Sequence, residues 1–262
     1  MFIIVKMNHK TEQMMKYFPI DNQHEFENAS TTISYLPNNN KNNILWQTNS
    51  KTTIPQYLRQ DVSLLYENGL FKGIQQKWQQ DVAKITLEKS FNIKNPSLLM
   101  AISFHHAEIH HEDETISSIQ QMTSDQLYYN GKSTIFNQPK TKSETEFANK
   151  INEKNNQYLT TVWDNWMSYF QINKEDYRPI PLTDLVVYQD KNLKHFSMSQ
   201  TEKIVGQLWE GLYENYITLL IDGQEKNHHP MPTILLANDD SHLIVLYEIN
   251  DEKMRLIQNI SK

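Results

Sequence analysis

The residues best suited to chemistry lie in one short stretch, FHHAEIHHEDE at 104–114, which holds four of the ten histidines. Alternate residues of a β-strand face the same side, so a strand here places His106, Glu108 and His110 on one face. Two imidazoles and a carboxylate can hold a divalent metal such as zinc and leave coordination positions open. These three residues are the predicted metal ligands, and a metal-binding protein or metal-dependent hydrolase is one candidate function.

Two other interpretations of this histidine cluster, residues 105–111, remain open. In the first, the strand is half-exposed, with Ala107 and Ile109 packed inward and the polar residues facing water. In the second, the clustered imidazoles form a pH-responsive patch, because the unperturbed pKa of histidine is about 6.5. The order HAEIH also differs from that of the zinc proteases, in which glutamate directly follows the first histidine. NHHP at 227–230 is interpreted as a loop, or as a source of two more ligands.

Motifs for other kinds of catalysis are missing from the sequence. No serine is framed by glycines as in a nucleophile elbow, and the six glycines form neither of the common phosphate-binding motifs. Because the chain has no cysteine, it has no disulfide, thiolate metal site or cysteine nucleophile. These observations favour a non-catalytic binding or scaffolding protein that needs no cofactor, with the metal protein as the alternative.

The composition restricts the classes of partner. The net charge is −6, and lysine and arginine do not cluster, whereas nucleic-acid binders group these residues against phosphates. Aromatic residues make up 11% of the chain, which is enough for a core and argues against disorder. No stretch approaches the roughly 18 apolar residues of a membrane span. The predicted partner is another protein, and the sequence does not specify an oligomeric state.

The N-terminal MFIIV at 1–5 has no cleavage motif and is interpreted as a first strand or as the end of a longer anchor. As written, the chain predicts a cytoplasmic protein. With an anchor, it predicts an extracytoplasmic, surface or membrane-associated accessory protein of a Firmicute-like bacterium, which the missing cysteines also suit.

The order of elements predicts an α+β fold with largely antiparallel sheets, built from hairpins and packed with two long amphipathic helices. Residues 1–56 are polar and Asn-rich, and are expected to be a partly ordered segment that docks by Ile44, Leu45 and Trp46. Residues 57–136 are predicted to form a β-rich half. Residues 143–262 are predicted to form a helix–strand–helix–hairpin half, either separate or sharing one core with the first.

Asn68-Gly69 is the strongest turn signal in the β-rich half, because both positions of a type I′ turn need positive φ. It predicts a hairpin between two apolar runs. Residues 82–89 fit a strand or a short helix. The acidic HEDET at 111–115 predicts a second turn between two antiparallel strands.

Two capped helices are predicted in the second half. Ser143 with Glu146, and Ser199 with Glu202, have the spacing of capping boxes. The first helix carries apolar residues at three- and four-residue intervals, which predicts one buried face: Phe147, Ile151, Tyr158, Val162, Trp166 and Tyr169. A strand at Leu185–Tyr188 and a C-terminal hairpin complete the prediction.

Aromatic residues are concentrated near the ends of these two helices. Most are interpreted as core, but Trp163 and Trp166 lie on two different faces of one helix. Tryptophan is enriched at partner-binding surfaces. Trp163, Trp166 and Trp209 are therefore predicted as partner-binding residues.

Overall fold

The computed structural model describes residues 15–38, 41–131, 134–222 and 229–260. The architecture is α+β and is dominated by antiparallel strands. The strands are β1 (Phe26–Asn38), β2 (Lys41–Glu67), β3 (Leu70–Asn92), β4 (Ser97–His110), β5 (Ile116–Tyr129), β6 (Ile135–Phe136), β7 (Tyr177–Pro181), β8 (Thr233–Ala237), β9 (His242–Ile249) and β10 (Glu252–Asn259). The α-helices are α1 (Lys142–Tyr169), α2 (Met198–Leu212) and α3 (Thr218–Asp222).

β2 and β3 form a long antiparallel hairpin that turns at Asn68-Gly69, as predicted. Both turn residues have positive φ, 52° for Asn68 and 78° for Gly69. A type I′ turn requires this conformation, and glycine adopts it without a steric cost. Residues 82–89, for which the sequence left two possibilities, lie in strand β3.

The first sheet folds over on itself because β2 has different partners along its length. Its first part pairs with β1 and its second part, 58–67, pairs with β4, with a register shift between Lys51 and Gln56. Side chains close the seam between β1 and β5. Asp125 accepts the backbone N–H of Ile33 at 2.7 Å, and Asn137 donates to the carbonyl of Ile33 at 3.1 Å. This folded sheet, strands β1–β6, therefore encloses an interior of its own.

The partly ordered N-terminal segment expected at residues 1–56 is in large part sheet. Residues 26–38 and 43–52 pair as β1 and the start of β2, while residues 1–14 and 39–40 lie outside the described residues. Ile44 and Trp46 are buried, as expected of anchors, and Leu45 is half-buried. Buried and half-buried positions alternate through this stretch, which is the period of a strand. Thr48 and Ser50 occupy two of the buried positions, so the sequence does not show a strict alternation of apolar and polar residues.

The second sheet has the order β10-β9-β8-β7 and is antiparallel throughout. The main core lies between this sheet, the helices and the outer face of the folded sheet. It includes Val62 and Phe104 of the folded sheet, Trp209 of α2 and Leu235 of β8. One core thus contains residues from both 57–136 and 143–262. The division of the chain into two halves stays a prediction.

Helix α1 is the predicted first helix, but its capping box is formed by Thr141 and Glu144 and not by Ser143 and Glu146. The second predicted helix is not one long α-helix. It begins at a capping box of Ser197 with Gln200, and a π-helical segment at Tyr213–Ile217 separates α2 from α3.

The π-helical segment is anchored to the folded sheet by two tyrosines. The hydroxyl of Tyr213 donates to Gln76 at 3.0 Å, and that of Tyr216 lies 3.1 Å from the hydroxyl of Tyr66. A π-helical turn is wider than an α-helical turn, and both of these tyrosines lie within it.

The strand predicted at Leu185–Tyr188 is wrong, because residues Leu182–Gln189 form a 3₁₀-helix. The strand in this region is β7, which lies at the sheet edge. Pro179 and Pro181 suit that position, because proline has no N–H for a second neighbour. The C-terminal hairpin is formed by β8 and β9, as predicted.

Candidate functional site

The histidine cluster divides between the two faces of β4, as strand alternation predicts. His105 faces the interior of the folded sheet, and His106 faces α2 on the other side. Both are buried, because β4 is paired on each edge with β2 and β5 and is covered on each face. The strand is therefore not the half-exposed one considered from sequence, except at its end, where His110 is partly exposed.

His105 belongs to a hydrogen-bonded network inside the folded sheet. Its Nδ1 lies 3.0 Å from Asp61 Oδ2, and its Nε2 lies 2.8 Å from Thr123 Oγ1. The order carboxylate, imidazole, hydroxyl is the one that activates a nucleophile in hydrolases. However, Thr123 Oγ1 also lies 2.6 Å from the hydroxyl of Thr31 across the seam. The hydroxyl is thus hydrogen-bonded on both sides by protein.

Arg59 supplies the positive charge of this interior network. Its guanidinium donates to Ser50, to Thr52 at 3.1 Å and to the carbonyl of Ala83 at 2.8 Å. Burial lowers the pKa of Arg59, and the nearby Asp61 carboxylate opposes that shift. A buried charge is tolerated when it is hydrogen-bonded and an opposite charge is near. Arg59 bonds β2 to β3 through Ala83, and the contact of Asp61 with His105 joins β2 to β4.

The predicted metal ligands do not converge. Glu108 and His110 meet, with Oε2 and Nε2 3.4 Å apart, and His110 stacks on Tyr57 with 3.7 Å between ring centroids. His106 instead lies beside Phe104, and burial lowers the pKa of His106 to about 4. In the parts of the chain that the structure describes, no group of three or more His, Asp or Glu side chains is arranged to hold a metal ion.

The predicted partner-binding tryptophans are buried, and each indole N–H is bonded within the chain. Trp163 donates to the carbonyl of Met231 at 2.8 Å, and Trp166 donates to Glu248 at 3.1 Å. Trp209 lies against Met122 and stacks on Phe104. These residues are core, and Trp166 also lines a surface cavity.

That surface cavity is part of a groove along α1. One cavity of about 460 Å³ lies between α1 and the β2–β3 turn, and a second of about 550 Å³ lies between α1 and β9. Tyr158 lines both, so the two cavities are neighbours along the helix. We call the residues that line them the α1 groove: Asn68, Leu70, Pro96, Phe147, Lys150, Ile151, Lys154, Asn155, Tyr158, Val162, Asn165, Trp166, Ser168, Tyr169, Pro230, Glu248 and Lys253.

The groove contains much of the apolar stripe that the sequence assigned to the buried face of the first helix. Phe147, Ile151 and Val162 are only partly buried, and Tyr158 and Tyr169 are exposed. The buried face of α1 is a neighbouring stripe that includes Leu159, Trp163 and Met167. Asn155 places a polar side chain in that buried stripe, so the hydrophobic pattern did not identify the stripe as the buried face. The sequence analysis therefore assigned the residues of the groove to the core.

No protein-family model matches the chain, and no curated protein is similar to it in sequence. Among the helices within residues 15–38, 41–131, 134–222 and 229–260, none is both long enough and apolar enough to cross a lipid bilayer.

Proposed function

We propose that this protein is a non-catalytic binding protein and that the α1 groove holds a segment of a partner protein. The observation that carries the proposal is an open groove on the surface of helix α1. Its walls are largely apolar beside the β2–β3 turn and mixed apolar and polar beside β9. Phe147 and Tyr169 lie 22 residues apart on α1, which corresponds to about 33 Å at 1.5 Å per residue. A chain segment fits such a length better than a small molecule does.

The exposed aromatic residues support this assignment. Tyr158 and Tyr169 are exposed, and they lie in the groove over the buried Trp166. Tyrosine contributes a large contact area with few rotatable bonds, and it is enriched among residues that dominate binding energy.

The alternative, a metal-binding protein or metal-dependent hydrolase that uses His106, Glu108 and His110, has weaker support. His106 is buried beside Phe104, and neither of its ring nitrogens bonds to Glu108 or His110. A metal site needs its ligands around one point.

Two exposed tyrosines offer a matched test of the proposal. Tyr158 lies in the α1 groove, whereas Tyr57 lies beside His110 at the end of the histidine row. Each is replaced in turn by the photo-crosslinking amino acid p-benzoylphenylalanine in the source cells. We expect a defined protein adduct from position 158 and none from position 57. Adducts from position 57 alone would contradict the proposal.

A captured protein must then bind through the groove when purified. We expect Ile151→Glu to weaken its binding by about tenfold or more, because a charge replaces an apolar contact. Ile257→Glu is the control, since Ile257 is half exposed and does not line the groove. Equal weakening by both variants, or by neither, would count against the groove.

A further inference from the structure

The charges of the α1 groove indicate the chemistry of its occupant. Lys150 and Lys154 are exposed and lie one helical turn apart at the edge of the cavity between α1 and the β2–β3 turn. Neither has an ion-pair partner among the described residues, whereas Lys72 and Lys194 are paired with carboxylates at 2.6 and 2.8 Å. Like charges at this spacing repel each other on a helix surface. The helix therefore carries two neighbouring lysines without an ion pair on the rim of the groove.

The remaining charges of the groove do not cancel this pair. Glu248 is the one acidic residue of its lining, and it accepts a hydrogen bond from Trp166 and lies 3.8 Å from Lys253. The groove is thus positive on a chain whose net charge is −6. A local field opposite in sign to the whole protein favours anionic partners at that surface.

We infer that the occupant of the α1 groove is an acidic amphipathic segment of the partner protein. Its apolar side contacts Phe147, Ile151 and Tyr158, and its carboxylates face Lys150 and Lys154. This inference rests on the proposed function and specifies the partner's chemistry.

Three labelled peptides test the inference, with fluorescence anisotropy as the measurement. Each is about 20 residues long, the length of a helix that matches the groove, with leucine at helical three- and four-residue spacing. The other positions carry glutamate, glutamine or lysine. We expect the glutamate peptide to bind the wild-type protein most tightly, the glutamine peptide more weakly and the lysine peptide least. Added salt should weaken the glutamate peptide most, because it screens exposed charges.

Charge reversal then locates the effect. The double variant Lys150→Glu with Lys154→Glu should weaken the glutamate peptide by about tenfold or more and should favour the lysine peptide. Lys142→Glu is the matched control, because Lys142 is on the same helix outside the groove. Equal binding of the three peptides, no binding of the glutamate peptide, or equal effects of the control and the double variant would overturn the inference.

Ile151→Glu separates this inference from the proposed function. If a neutral or basic peptide binds and Ile151→Glu abolishes that binding, the groove is a docking site and only the acidic character is wrong. If no peptide binds and position 158 gives no adduct, both the inference and the proposed function fail.

Discussion

The interior of the folded sheet and the α1 groove differ in the burial and the bonding of their charged side chains. Inside the sheet, Arg59, Asp61 and His105 are fully buried and held by hydrogen bonds from neighbouring strands. In the groove, Lys150 and Lys154 are exposed and have no ion-pair partner among the described residues. Each of these three interior side chains has a hydrogen-bond partner within the chain, and Arg59 Nε and Asp61 Oδ1 are buried without one. The lysine side chains of the groove are accessible to another molecule.

We base the proposed function on this difference. The histidines have the residue types of a chemical site, but His105 is bonded to neighbouring strands, and both ring nitrogens of His106 are buried without a hydrogen-bond partner. The groove has ordinary residue types, but its aromatic residues and its two lysines without an ion pair are accessible to another molecule. We therefore propose the groove, and not the histidine strand, as the binding site.

The largest effect is expected from removing the interior carboxylate. Asp61→Ala leaves Ser50 and His105 without an acceptor and removes the negative charge near the buried Arg59. An uncompensated buried charge costs about 3–5 kcal/mol. Denaturant unfolding measures the loss of stability. Asp113→Ala is the control, because Asp113 lies in the exposed turn after β4. Equal stabilities of the two variants would show that the network does not hold the fold.

A second effect is expected from His106 in acid. The unfolded chain binds this proton near pH 6.5, whereas burial lowers the folded pKa to about 4. The unfolded state therefore binds more protons in this window, and stability falls as the pH falls from 6.5 to 4, by up to about 3 kcal/mol. His106→Gln should flatten this part of the profile, and His195→Gln should not. Parallel profiles for His106→Gln and the wild type would contradict the buried neutral histidine.

A smaller effect is expected at the turn that borders the groove. A methyl group at Gly69 would lie 2.6 Å from Asn155 Oδ1, at a position with φ of 78°. Gly69→Ala should cost about 1–3 kcal/mol from backbone strain alone. In Gly73→Ala the new methyl group has no contact closer than 3.7 Å, so thermal unfolding should show little change. Equal losses in both variants would argue against this turn geometry.

The smallest effect on stability is expected from the groove lysines. Lys150→Ala with Lys154→Ala removes a repulsion and no ion pair, so the free energy of unfolding should change by less than about 0.5 kcal/mol. Urea unfolding checks this. A loss comparable to that of Asp61→Ala would mean that the lysines support the fold, and the contrast between the two regions would disappear.

Local signals predicted the parts of the fold that depend on local geometry. Asn68-Gly69 gave the hairpin turn, and strand alternation placed His105 and His106 on opposite faces. The first half of β2 was missed because its buried positions include Thr48 and Ser50, which hydrophobic patterning does not count. Thr48 is bonded to Ser103 on β4, which is distant in sequence, and Ser50 is bonded to Asp61 in the second part of the same strand. Hydrophobic patterning detects neither contact.

The candidate site was less predictable than the fold. Periodicity found the apolar residues of α1 but could not separate the stripe that meets the core from the neighbouring stripe that lines the groove. That choice depends on the β2–β3 turn and on β9, which pack against the helix from distant parts of the chain. The metal prediction likewise assumed that the strand face would stay open, whereas His106 is buried on it beside Phe104, which stacks on Trp209 of α2.

Hydrogen–deuterium exchange with and without the segment captured at position 158 tests the central claim most directly. Binding in the α1 groove predicts slower exchange in residues 147–169 and at the turn 68–70, with residues 97–129 unchanged. Slower exchange in residues 97–129 with α1 unchanged would show that the segment binds at the histidine strand and not in the α1 groove.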